Sequence, residues 1–174
     1  RHKITDSGIS PKAVPLEGGT LVVTDSDEHN EAGHLIEDAE TRTAMMQKRL
    51  RKTEGLKKEI GKPRVYGTTQ AEITLIGWGS TYGAIKEAVD QAMRDGLSIN
   101  LVHLSEIWPF PAEATAQALQ GAKRIIAVEN DATAQLAHLL RAEIGYQVSG
   151  KILKFDGRPL SPAHILKQLK PEVR

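Results

Sequence analysis

Short apolar runs alternate with amphipathic segments in the second half of the chain, and this alternation constrains the fold most. "ITLIG" (73–77), "INLVHL" (99–104), "RIIAVE" (124–129) and "KILKF" (151–155) each read as a strand. Runs of this length with little polar alternation fit strands covered on both faces. Between and after them, Thr81 to Arg94, Ala112 to Leu119, Thr133 to Glu143 and Pro162 to Leu169 read as helices, the first with Ile85, Ala88, Val89 and Ala92 turned inward. Strand and helix in alternation predict a three-layer α/β/α domain with a mostly parallel sheet over residues 71–174.

Residues 1–70 follow another pattern and read as a polar linker with a long-helix arm. Gly8, Pro11, Pro15, Gly18 and Gly19 punctuate the start, and Thr20 to Thr24 reads as a short strand. Arg1 to Gly19 resembles a mid-protein linker, so a piece of a longer polypeptide is expected. Glu37 to Lys58 reads as one helix, with Ile36, Ala39, Thr43, Met46 and Leu50 as a narrow apolar stripe that needs another surface to lie on. Acidic Glu37, Asp38 and Glu40 crowd its start. Lys48, Arg49, Arg51 and Lys52 lie toward its end, in the sense the helix dipole favours. Gly61, Pro63 and Gly67 close the segment.

Composition removes several functions. A net charge of +1 over 174 residues gives no global field for nucleic acid or an anionic membrane. The absence of cysteine excludes disulfides, thiol nucleophiles and Cys-ligated iron–sulfur clusters from this chain. No apolar run approaches the roughly 20 residues that span a bilayer and no signal peptide opens the sequence, so a cytoplasmic location is expected.

In an α/β sheet, ligands gather beyond the carboxyl ends of the strands. The first such end, "GWGSTYG" (77–83), is GxGxxxG, one residue longer than the dinucleotide fingerprint. Two readings stay open there. The glycines permit a strand-to-helix turn capped by Ser80 or Thr81, or Gly77, Gly79, Ser80 and Thr81 contact an anion or the edge of a cofactor. In "SEIWPFP" (105–111), two prolines stiffen a loop carrying Trp108 and Phe110, which suits either an interface anchor or a cover for the sheet's end. In "ENDAT" (129–133), Asp131 or Thr133 can cap a helix, while Glu129 and Asn130 can hydrogen-bond a partner.

"TDSDEHNEAGH" (24–34) holds two histidines and four carboxylates. His29 and His34 lie five apart with Gly33 between them, so one helix face cannot present both as a zinc motif would. No nucleophile or cofactor cradle accompanies them for acid–base work. The remaining readings are a solvated lead-in to the helix, or an interface segment in which Asp27, Glu28, His29 and His34 border a site on another domain. Side chains of this kind are expected outside the core.

"DSDEHNEAGHLIEDAETRTAMMQKRLRK", "LIGWGSTYGAIKEA", "LSEIWPFP", "IIAVENDATAQLAHLLR" and "KFDGRPLSP" occur in that order. Together, from about His2 to Leu169, they resemble the C-terminal part of the α subunit of 2-oxoacid:ferredoxin oxidoreductases, closest to the 2-oxoglutarate type. The resemblance implies a fold similar to the transketolase C-terminal domain. It also implies a share in an enzyme that decarboxylates a 2-oxoacid on thiamine diphosphate, reduces ferredoxin through iron–sulfur clusters and forms an acyl-CoA. The implied partners are the N-terminal part of the same α subunit, a β subunit, γ and δ subunits where the enzyme has them, and ferredoxin. Thiamine diphosphate, Mg and the clusters are expected elsewhere in the complex: "FDGRP" lacks the downstream Asn of a thiamine motif, so this chain alone is expected to bind no cofactor and to be inactive. Two rival readings are a free-standing α/β module binding a phosphate-bearing ligand such as CoA, and a transketolase-like or dehydrogenase thiamine enzyme without ferredoxin.

Overall fold

The computed structural model of the chain describes residues 1–19 and 21–172. It divides into two compact units, Arg1–Glu59 and Ile60–Arg174. The division falls before the 70/71 boundary read from the sequence, because a short strand that reading missed belongs to the second unit. Residues 173 and 174, included in the expected domain, lie outside the described residues.

The second unit is a five-stranded sheet in the order β1-β3-β2-β4-β5. Its strands are β1 (Arg64–Gly67), β2 (Ile73–Trp78), β3 (Ile99–Leu104), β4 (Arg124–Glu129) and β5 (Gly150–Leu153). β2, β3, β4 and β5 pair in parallel, whereas β1 runs antiparallel along β3, with Arg64 opposite His103. β1 was hard to see in the sequence because it has four residues, lies at the sheet's edge and shows no apolar alternation.

The arm helix is α1 (Ala39–Leu56); in the sheet unit the helices are α2 (Tyr82–Arg94), α3 (Ala112–Leu119), α4 (Gln135–Ile144) and α5 (Pro162–Glu172). Alternate strand residues point to opposite faces. Ile73, Leu75, Ile99 and Leu101 pack under α2 and α5 with Ile85, Val89, Ile165 and Leu169. Ile76, Val102 and Leu104 pack under α3 and α4 with Leu119, Leu136 and Leu140. Helices on both faces make the three-layer α/β/α architecture expected from the sequence.

In the first unit, Asp38 caps α1 by accepting the Thr41 N–H at 2.7 Å, which places the start at Ala39. The expected apolar stripe is not the packed face. Met46 and Leu50 are exposed, while Met45, on the other side of the helix, is buried. The chain's own N-terminal segment lies on that side: Lys48 Nζ donates to the His2 carbonyl at 2.9 Å and Arg51 donates to the Thr5 carbonyl at 3.3 Å. Gly8 fits there because a Cβ would fall 2.3 Å from the Lys48 carbonyl oxygen. The basic residues expected to complement the helix's carboxyl end therefore lie mid-helix, and none occupies the last turn. Residues 21–24 carry no strand, and Thr20, where that strand was expected to begin, lies outside the described residues.

Candidate functional site

The chain leaves β2 toward α2 on one face of the sheet and leaves β4 toward α4 on the other. Neighbouring strands with diverging connections leave a crevice between their carboxyl ends. A cavity of about 170 Å³ lies there, lined by Trp78, Gly79, Ser80, Thr81 and Asn130. It joins two loops that the sequence singled out separately.

The two glycines of the turn have different causes. Gly77 is packed: a Cβ would fall 2.3 Å from Ile85 Cδ1 and 2.7 Å from Thr81 Oγ1. Gly79 has open space around it but a φ of +56°, a left-handed conformation that side chains disfavour. Gly79–Thr81 form one 3-10 turn leading into α2. Neither Ser80 nor Thr81 caps the helix through its side chain, contrary to expectation. The Thr81 hydroxyl instead donates back to the Trp78 carbonyl at 2.8 Å, closing the turn on itself. Ser80 and Gly79 are exposed at the crevice.

His103, on β3, is buried beside this turn and its Nε2 lies 3.1 Å from the Gly79 carbonyl oxygen. A carbonyl can only accept, so this contact holds the proton of the neutral imidazole on Nε2. Burial lowers the His103 pKa and outweighs the opposing pull of the Gly79 carbonyl. The Tyr82 ring meets His103 edge-on at 5.0 Å, and the Arg64 guanidinium lies 5.8 Å from the Tyr82 ring centre. Sequence reasoning missed His103 because it looked like one more position of an apolar strand.

Glu129 was expected to offer hydrogen bonds to a partner, but it is fully buried. Its carboxylate accepts the N–H groups of Leu136 at 2.6 Å and Ala137 at 3.1 Å, so it caps α4 from the end of β4. Burial raises its pKa, against the lowering effect of those two N–H groups. Asp131 Oδ1 accepts from Thr133 N–H at 2.9 Å and, more loosely, from Gln135 N–H at 3.4 Å. These bonds and Ala134, at φ 56°, start α4 at Gln135 instead of Thr133. Asn130 is left exposed at the crevice.

Beyond β3, Trp108 is 66% exposed, whereas Phe110 is half-buried against the α3–α4 core. Glu106 accepts the Gly61 N–H at 2.9 Å.

In the first unit, the acidic–histidine stretch is folded inward more than its composition implied. Glu28 pairs with both Arg42 and Arg49 of α1. The hydrogen bond from Arg49 lowers its carboxyl pKa to about 2. His29 is buried, with Nε2 3.2 Å from Asp25 and its ring stacked on His2 at 4.8 Å. Glu28 and His29 thus help hold the arm together, so the expectation that side chains of this cluster stand clear of the packing fails for these two. Asp27 and His34 remain exposed. Among the described residues, no three His, Asp or Glu side chains form a metal-binding set, and no helix is long and apolar enough to cross a membrane.

A doubly wound α/β/α domain with a crevice at its topological switch point has the architecture of a ligand- or partner-binding domain. Pyruvate:ferredoxin oxidoreductase core domain II is the family whose pattern matches residues 71–165. The α subunit of 2-oxoacid:ferredoxin oxidoreductase 1 from Sulfurisphaera tokodaii is 36% identical over 162 residues, covering 91% of this chain and 25% of that protein. The corresponding α subunit from Saccharolobus solfataricus is 34% identical over 177 residues, covering 100% of this chain and 28% of that one. Among solved structures, 2-oxoglutarate:ferredoxin oxidoreductase from Magnetococcus marinus, with 2-oxoglutarate, coenzyme A and succinyl-CoA bound, matches with a TM-score of 0.75 and 26% identity. That match covers 99% of this chain and 30% of the other. The chain belongs to the pyruvate:ferredoxin oxidoreductase core domain II family, as part of a 2-oxoacid:ferredoxin oxidoreductase α subunit. It spans about a quarter of the length of the curated relatives it matches.

Proposed function

We propose that this chain is the C-terminal part of the α subunit of a thiamine-dependent enzyme that oxidises 2-oxoglutarate to succinyl-CoA and passes the electrons to ferredoxin. The observation that carries this reading is the extent of the likeness to the Magnetococcus marinus enzyme, which covers 99% of the chain, polar arm included. A domain that had kept only the sheet would match over the second unit alone.

In this reading the chain serves assembly and the edge of the active site, in the cytoplasm, together with the rest of the α subunit, the β subunit and ferredoxin. Thiamine diphosphate, magnesium, iron–sulfur clusters and CoA belong to the complete enzyme. The residues here do not fit a cluster, since there is no cysteine. For magnesium-bridged diphosphate, "FDGRP" lacks the downstream Asn of a thiamine motif. The crevice suits a smaller role. Its turn opens the amino end of α2, where backbone N–H groups favour anions, so Gly77 shapes and Gly79, Ser80 and Thr81 border a contact with a phosphate of CoA. Exposed Trp108, with Phe110 behind it, Asn130 and the arm residues Asp27 and His34 form the surfaces that meet the rest of the enzyme. Glu28, His29 and Glu129 support those surfaces from within.

The test is substitution of Trp108 by alanine in the complete enzyme. The exposed indole contributes little to the chain's own packing, so melting of the domain stays within about 1 kcal/mol of wild type while assembly or turnover falls. Unchanged assembly and turnover would remove the loop from the interface.

A further inference from the structure

At the amino ends of β2 and β3, away from the crevice, the layer under α3 changes character. Moving along β2 and β3 on that face, Ile76 and Val102 are apolar and buried, but the preceding inward pair is Thr74 opposite Asn100. Both are at least nine-tenths buried. α3 ends at Leu119, so its carboxyl end stops above this pair instead of covering it with another turn. What remains is a cavity of about 340 Å³, to which Thr68, Thr74, Asn100, Ala118, Gln120 and Gly121 contribute.

Asn100 is only half satisfied. Its Nδ2 donates to the Thr68 carbonyl at 3.2 Å, which fixes the amide's orientation, and its Oδ1 has no hydrogen-bond partner among the described residues. A buried acceptor without a partner is uncommon in a folded protein. An apolar residue would complete the layer here, as Val102 does two positions on. Gln70, which also lines the cavity, is held at φ +54°, a conformation that side chains rarely adopt.

The lining excludes some ligand chemistry. Among the described residues, no Asp, Glu, Lys, Arg or His lines the cavity, so a phosphate or carboxylate would lose its hydration without a counter-charge. The walls combine methyl and methylene surface with hydroxyl and amide groups that can both donate and accept. The volume is at the lower end of small-molecule sites. We propose that this cavity is a second binding site, at the amino ends of the strands, for a small uncharged molecule presenting an N–H donor beside an acceptor, as a carboxamide or a nucleobase edge does. The donor meets Asn100 Oδ1, and the acceptor meets the hydroxyl and amide groups around it. The site lies at the opposite end of the strands from the Gly79 crevice and does not depend on the function proposed for that crevice.

The experiment is an NMR titration of the chain with nicotinamide and with adenosine as probes, and with potassium chloride and phosphate as controls. Saturable shifts are expected at the Asn100 side-chain amide and at the Thr68 and Gly121 backbone amides, with one or both uncharged probes and with neither salt. Asn100→Leu should weaken binding more than tenfold. Because that change also removes the bond to Thr68, Ala118→Leu provides a second variant, filling the cavity while leaving Asn100 intact; it should abolish the shifts with the fold retained. The proposal is overturned if neither uncharged probe gives saturable shifts, if potassium alone gives them, or if the filled variant binds as wild type does.

Discussion

Gly77 and Gly79 are two residues apart in one turn, yet they answer to different physics, and substitution separates them. Gly77→Ala forces a methyl onto Ile85 and Thr81 and should cost about 1–3 kcal/mol in thermal or denaturant unfolding. Gly79→Ala adds only left-handed backbone strain, about 1–2 kcal/mol, and leaves the packing alone. If the turn borders a phosphate of CoA, Gly79→Val should also raise the KM for CoA in the complete enzyme by more than its loss of stability explains. A lowered melting temperature with unchanged CoA use would make the turn purely structural. His103 gives a pH signature. Its pKa is lowered in the fold from the ordinary 6.5, so the unfolded chain takes up this proton first as pH falls below about 6.5. Its contribution is complete above that pH and is lost as pH falls from there toward the folded value. Glu129, with a raised pKa, acts in the opposite sense, so the quantity to measure is the difference in stability between wild type and His103→Gln across pH 7 to 5. That difference should shrink as pH falls; a constant difference would mean that His103 does not titrate differently on folding. The Glu129 cap was not readable from sequence, because a strand-end carboxylate reaches α4 only once β4 and α4 are placed together.

At the scale of elements, the sheet was legible and the arm much less so. β2, β3, β4 and β5 announce themselves as apolar runs because both their faces are buried, and that burial leaves the same mark whatever the tertiary details. β1 has one neighbour and four residues, so it leaves almost no pattern. In α1 the apolar stripe misled, because the N-terminal segment decided the packed face: buried Met45, the close approach of Gly8 and hydrogen bonds from Lys48 and Arg51 hold that segment there, leaving Met46 and Leu50 outside. Glu28 is the other tie. Its carboxyl pKa lies at about 2 against an ordinary 4.5, so its ion pairs contribute fully above about 4.5 and are lost as pH falls toward 2. Arg42 and Arg49 are about half exposed, and solvent screening limits the contribution to about 1 kcal/mol. Glu28→Gln should therefore loosen the arm at neutral pH, seen as faster amide exchange in α1, and should make little difference near pH 2. Equal exchange in both proteins at pH 7 would show that the pairs hold nothing in place.

At the scale of the molecule, the chain spans about a quarter of the length of the curated relatives it matches, and the function proposed for it assigns the chemistry to the complete enzyme. The decisive measurement is made on the native protein that contains this sequence. It should be purified anaerobically from its source cell and assayed for reduction of a viologen dye in the presence of thiamine diphosphate. Dye reduction that requires both a 2-oxoacid and CoA, with 2-oxoglutarate the preferred acid, is the predicted result. A native preparation with its clusters intact that reduces no dye with any 2-oxoacid would contradict the account.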